Sequence, residues 1–139
     1  MSDIAPPEGF VLAEFSPGFL DHGGPYFFKD RGADQPKLAA LRICEHHINY
    51  QDAAHGGAIS TFADMALSHA IYDAQRPRLL PSTITLQVNY LRGPKLGDWL
   101  EADVTIDRIG GRTAYSSGRI CLGDEVVATM NAVFSIKRP

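Results

Sequence analysis

The chain has 139 residues and a formal charge of −3, a length that suits one domain with an ordinary hydrophobic core and no need of disulfides or metal to hold it. Its charges are scattered without a basic cluster, which argues against nucleic acid and anionic membrane surfaces as partners. With no apolar run near the ~20 residues that span a bilayer and no secretory signal pattern, the expected setting is cytoplasmic.

Residues 1–24 scatter Pro6, Pro7, Gly9, Pro17, Gly18, Gly23 and Gly24 among Phe and Leu. This predicts an irregular segment with one short helical turn, packed on a single domain over 25–139. Pro25 to Lys29 reads as a short strand, and Leu38 to Asn49, with Leu41, Ile43 and Ile48, as a second strand that enters the loop at His55. His46, His47 and His69 are the candidates for a metal, but adjacent histidines on such a strand point to opposite faces and no third ligand is well spaced, so no metal site is expected. One long helix should run from Gly56 to Ala74 and stop before Arg76-Pro77.

Beyond it the period becomes two. Ile84, Leu86, Val88 and Tyr90 alternate with Thr83, Thr85, Gln87 and Asn89, a strand with one face on the core. Strands at about Trp99–Ile109, Arg112–Leu122 and Glu125–Ile136 follow, separated by the turn sequences Gly110-Gly111 and Gly123-Asp124. The order predicts an α+β domain in which an antiparallel sheet wraps around one long central helix. Cys44 and Cys121 fall in apolar, strand-like surroundings without C-x-x-C spacing and are expected as buried free thiols.

The helix holds the chemistry. Gly56 and Gly57 at its start leave backbone N–H groups open to an oxygen that develops negative charge, beside the positive end of the helix dipole. That is the arrangement of an oxyanion hole. Asp64 is the one acid in an otherwise apolar or weakly polar helix, and it shares a stripe with Gly57, Ser60, Thr61 and Ser68 because the separations are three, four and seven. It is therefore either a reacting group or a structural carboxylate bonded to Ser60, Ser68 or a facing helix. Seven residues of helix span roughly 10 Å, too far for Gly57 and Asp64 of one chain to touch one reacting carbon. Two antiparallel copies of the helix about a two-fold axis would bring them together, which predicts an obligate homodimer with two shared sites.

With these residues placed, the sequence resembles the hotdog-fold acyl-CoA thioesterases, most closely the PaaI-like group of the phenylacetate pathway, from about Gly24 to Phe134. In that family an Asn lies six residues before the His of His-Gly-Gly and an acid nine after it, and Asn49, His55 and Asp64 keep both spacings. Asn89-Tyr90-Leu91-Arg92-Gly93-Pro94 with Leu96-Gly97-Asp98 resembles the family's next strand and turn. Asp52 stands where the family often has Gly, and an Asp tolerates left-handed backbone better than most residues.

The resemblance implies hydrolysis of a medium-chain or aryl-acyl-CoA thioester, with no cofactor, by a homodimer that pairs further into a dimer of dimers. Gly57 N–H would hold the oxyanion, and Asp64 of the other chain would activate water or attack directly to form an anhydride. Asn49 would orient the water or the carbonyl, or brace the loop, and Thr83 would hydrogen-bond Asp64 or the water. His55 is expected to fix the loop more than to act as acid or base. Arg92, Lys95 and Arg112 are the candidates for the CoA phosphates, and Phe62, Met65 and the aromatic N-terminal segment for the acyl slot. A dehydratase is disfavoured by the acid's place in the helix. A non-catalytic acyl-CoA sensor is the competing reading.

Overall fold

A computed structural model describes residues 5–139; residues 1–4, part of the segment expected to be irregular, lie outside it. The central helix, α2, runs Gly56–Tyr72 after a four-residue turn of helix, α1, at Leu20–Gly23. Its interior has strong helix formers and no proline, and eight of its residues, among them Phe62, Leu67 and Ile71, are buried. Arg76-Pro77 keeps the chain from continuing, and the Asp73 N–H closes the last turn on the His69 carbonyl. The expected end at Ala74 was two residues too long.

The strands are β1 (Phe10–Leu12), β2 (Tyr26–Lys29), β3 (Leu38–Arg42), β4 (Leu80–Tyr90), β5 (Trp99–Ile109), β6 (Thr113–Leu122) and β7 (Glu125–Lys137). They form one antiparallel sheet in the order β1-β2-β3-β5-β6-β7-β4, curled over α2. Ala102, Val104, Ala114, Ile120, Ala132 and Phe134 face the helix and are buried with it. Ser116 Oγ, also buried, donates to the Leu67 carbonyl and ties β6 to α2. A Cβ on Gly118 would lie 2.2 Å from the Asp103 carbonyl oxygen, so β5 and β6 can approach only with glycine there.

Three elements differ from expectation. β1, within the N-terminal segment, pairs with β2 from Phe10↔Lys29 to Leu12↔Phe27; three residues among glycines and prolines carry too little alternation to be read as a strand. The second expected strand stops at Arg42 instead of Asn49, because the chain turns into a 3₁₀ helix at Glu45–His47 where His47 Nδ1 accepts the Cys44 N–H at 2.9 Å. β4 begins at Leu80 and is an edge of the sheet, with a bulge between Thr83 and Thr85 that leaves Ile84 unpaired and exposed. Only Leu86 and Val88 of the expected core face pack on the core. Cys44 is buried and Cys121 half-buried, both as free thiols.

Candidate active site

Five of the candidate residues sit on or beside the seam of α2 that the sheet leaves uncovered. Gly57 is exposed, and Ser60, Thr61, Asp64 and Ser68 are half-buried. The seam is thus open in a single chain. Thr83 Oγ1, brought over the helix by β4, donates to Asp64 Oδ1 at 2.7 Å. Among the described residues the carboxylate has no other hydrogen-bond partner, since Ser60 bonds the Tyr90 hydroxyl and Ser68 the Met65 carbonyl. The structural bonds to Ser60 or Ser68 that the sequence left open are therefore not made. Asp64 lines a pocket of about 480 Å³ together with Thr83, Thr61, Met65 and Leu86.

The helix start differs from the reading in one respect that matters for chemistry. His55 is the N-cap of α2, and its Nδ1 accepts the Gly57 N–H at 2.8 Å. The Gly57 amide is consequently occupied. Among the described residues nothing accepts the Gly56 N–H. The Gly56–Gly57 peptide is held at its other end as well, because the Tyr90 hydroxyl donates to the Gly56 carbonyl at 3.0 Å, while Thr61 Oγ1 donates to the Gly57 carbonyl at 2.9 Å. The alternation places Tyr90 on the core face of its strand, whereas the structure leaves it exposed. Its place at the end of a strand, where a phenol must find a partner, was the available signal.

Asn49 builds the loop before the cap. Its Oδ1 accepts from the Gln51 N–H at 2.8 Å and the Ala53 N–H at 3.2 Å, leaving the Nδ2 amide as the group that can donate outward. Asp52 closes this loop at φ 62°, the left-handed conformation expected for it. His46 and His47 are on the 3₁₀ helix, not on a strand, and with Cys44 their ligand atoms lie within 4.8 Å of one another. Those atoms are engaged: His47 uses Nδ1 on Cys44 and Nε2 on the Gly23 carbonyl, and His46 Nε2 bonds the Gly24 carbonyl. The pair ties the 3₁₀ helix to the chain before β2. Burial pushes the His47 pKa below the usual imidazole value.

The remaining candidates are spread more widely. Phe62 is fully buried and stacks on Tyr26 with ring centroids 6.1 Å apart, so it belongs to the core and not to a slot wall. Met65 lines the Asp64 pocket. Arg92 pairs with Glu125 at 2.7 Å, and Lys95 is exposed in the turn whose Pro94 carbonyl accepts the Ala54 N–H. Arg112 lies at the other end of the sheet, beside Thr113, which is opposite Ser135, itself opposite Ser82 of β4. Within one chain the three cations do not converge.

Residues 51–129 match the model of the thioesterase superfamily. A Pseudomonas aeruginosa protein whose name gives it as a candidate esterase is 36% identical over 130 residues, 94% of this chain and 96% of its own. Among solved structures, zebrafish thioesterase superfamily member 2 superposes with a TM-score of 0.79 at 18% identity, covering 88% of each chain. A hypothetical thioesterase of Streptococcus pneumoniae, solved with coenzyme A, gives 0.73 at 20% identity over 81% of this chain and 85% of its own. The PaaI protein of the E. coli phenylacetic acid degradation operon gives 0.67 at 19% over 73% and 72%. By sequence match and by architecture, the chain is a hotdog-fold enzyme of the thioesterase superfamily.

Proposed function

We propose that this protein hydrolyses the thioester of a medium-chain or aryl-acyl-CoA, giving the free acid and CoA, at sites shared between two chains. One observation carries the reading: Thr83 fixes one oxygen of Asp64, the other has no partner among the described residues, and the residue lines an open pocket. A carboxylate so held can accept a proton from water in a defined direction.

In the proposed step Asp64 Oδ2 takes a proton from a water as its oxygen attacks the thioester carbon. The carbonyl oxygen becomes an oxyanion that accepts the Gly56 N–H of the partner subunit at the positive end of its helix. Gly56 takes this role in place of Gly57, whose amide is already held by His55. The tetrahedral intermediate then expels CoA as thiolate, which recovers the proton, and the acid leaves. Asn49 Nδ2 orients the water or the carbonyl. A single turnover in ¹⁸O water should label the product acid alone, whereas an anhydride on Asp64 would deliver an enzyme oxygen to it.

Support for the dimer comes from β4. It is an eleven-residue edge strand with Leu80, Ile84 and Tyr90 exposed, and such an edge calls for cover. Antiparallel pairing of β4 with its copy sets the two helices antiparallel, with Gly56 of one near Asp64 of the other. It also brings the partner's Arg112 to the end of the sheet that carries Arg92 and Lys95, toward the CoA phosphates. The CoA bound to the S. pneumoniae relative fits this reading. A dimer of dimers and a cytoplasmic setting are part of the same proposal.

The assay is thiol release from a panel of acyl-CoAs. Hydrolysis by the wild type and its loss in Asp64→Ala support the enzyme. Tight acyl-CoA binding without thiol release would instead make the protein a sensor.

A further inference from the structure

One end of the sheet gathers cations that lie far apart along the chain. Arg108 is next to the end of β5, Arg112 precedes β6, and Lys137 closes β7 with Arg138 after it. Their strands are neighbours, since Arg108 is opposite Tyr115 and Thr113 is opposite Ser135. Arg138 lies across the turn between β5 and β6, donating to the Gly111 carbonyl at 2.7 Å and the Gly110 carbonyl at 3.2 Å, and the Arg108 guanidinium borders Gly110 as well. These four cations are exposed, and among the described residues none of them forms a salt bridge. The acids are elsewhere: β4 and β6 contain none, β7 has none after Glu125, and Asp107 is the one acid next to the turn in sequence. A chain with a formal charge of −3 thus has a locally positive end, where like charges repel unless something anionic covers them. Tyr115, the cross-strand partner of Arg108, is 38% exposed among them. An open tyrosine ring between arginines is the composition of a protein contact.

We infer that this end of the sheet docks an acidic carrier protein that presents the acyl group as a pantetheine thioester. The inference rests on the thioesterase reading above and adds a second form of its substrate. CoA and such a carrier offer the same thioester on the same arm, so the chemistry at Asp64 is unchanged. The position of the cations fits. Thr83, which bonds Asp64, follows Ser82, and Ser82 is opposite Ser135 and through it Thr113, beside Arg112. Two strand spacings are about 10 Å, less than an extended pantetheine arm, so a protein seated on the cations can deliver its thioester to Asp64 of the same chain. The exposed Tyr115 and the spread of the cations over β5, β6 and β7 favour a protein surface over the few phosphates of a nucleotide.

Three octanoyl donors separate the contributions: octanoyl-pantetheine, octanoyl-CoA and an octanoyl group loaded on an acidic acyl carrier protein. The carrier form should have a kcat/KM at least about tenfold above that of octanoyl-pantetheine, through KM, and the advantage should shrink as salt screens the cations. Arg108→Glu and Lys137→Glu, both exposed and outside the reacting centre, should each lower the carrier value about tenfold while octanoyl-pantetheine is cleaved as before. Binding of the fluorescently labelled carrier, followed by anisotropy, should weaken in parallel. A carrier thioester cleaved no faster than octanoyl-pantetheine, or a carrier advantage that both folded variants retain, would overturn the inference. So would an equal loss on octanoyl-CoA, which would make the cations a phosphate site, or retention of duplex DNA without the carrier. If the labelled carrier binds and both variants release it but no donor is cleaved, the hydrolase reading fails while the docking surface stands.

Discussion

Among the described residues Asp64 has a single hydrogen-bond partner, Thr83, and the proposed role of general base can be tested at both. Asp64→Ala should lower kcat by ~10²–10⁴ with KM little changed, as removal of a general base does. Thr83→Val leaves the carboxylate in place but free to rotate, and a loss of about tenfold in kcat is expected from a missing charge-assisted bond. His47 gives a separate test by pH. Its folded pKa lies below the unfolded value of about 6.5, so the unfolded chain takes up the proton first as pH falls. The stability His47 supports is complete above about pH 6.5 and is lost as pH drops through the window below it; His69 is shifted in the same direction and adds to the slope. Thermal midpoints measured from pH 8 to pH 5 should fall, and less steeply in His47→Gln. At this scale the spacing of Asn49, His55 and Asp64 was legible along the chain. The occupation of the Gly57 amide was not, because it depends on which way the His55 ring turns when it caps α2.

The first turn of α2 is a clamp with two arms. His55 holds the Gly57 N–H and Tyr90 holds the Gly56 carbonyl, so one peptide is fixed at both ends while the Gly56 N–H stays open. Tyr90→Phe removes the hydroxyl from both Ser60 and Gly56 and should lower kcat more than it raises KM. Its cost in stability should be modest, about 0.5–1.5 kcal/mol for a bond on a half-exposed residue, read as a small shift in thermal midpoint. Gly118→Ala is the opposite kind of change. A Cβ 2.2 Å from a backbone oxygen forces β5 and β6 apart over the helix, and the variant should unfold many degrees below the wild type. The long strands and the helix were readable from periodicity and turn pairs, since each has enough residues to average over exceptions. β1 and the 3₁₀ helix were not, because three residues show no period and His47 made the turn through a side-chain bond.

For the whole molecule, the proposed function calls for a site completed by a second chain. Asp64 and Gly56 lie on one helix too far apart to meet on a single carbon, so activity should require the dimer. Mixing inactive Asn49→Ala and Asp64→Ala proteins should restore part of the activity, because the heterodimer has one site with both lesions and one with none. Absence of recovery after proven subunit exchange, or full activity in a monomer separated by size, would refute the shared site. What the amino-acid order determined by itself was local and periodic: the helix with its one acid, the alternating strands, the glycine pair, the spacings that marked the family. These are properties of neighbours in sequence, and hydrophobic period and backbone chemistry express them directly. Only tertiary structure decided that Asp64 is half-buried beside Thr83, that Phe62 belongs to the core while Met65 meets the pocket, and that β4 ends the sheet. Those follow from which distant segments pack against the helix, and side-chain contacts across such separations leave no periodic trace in the chain.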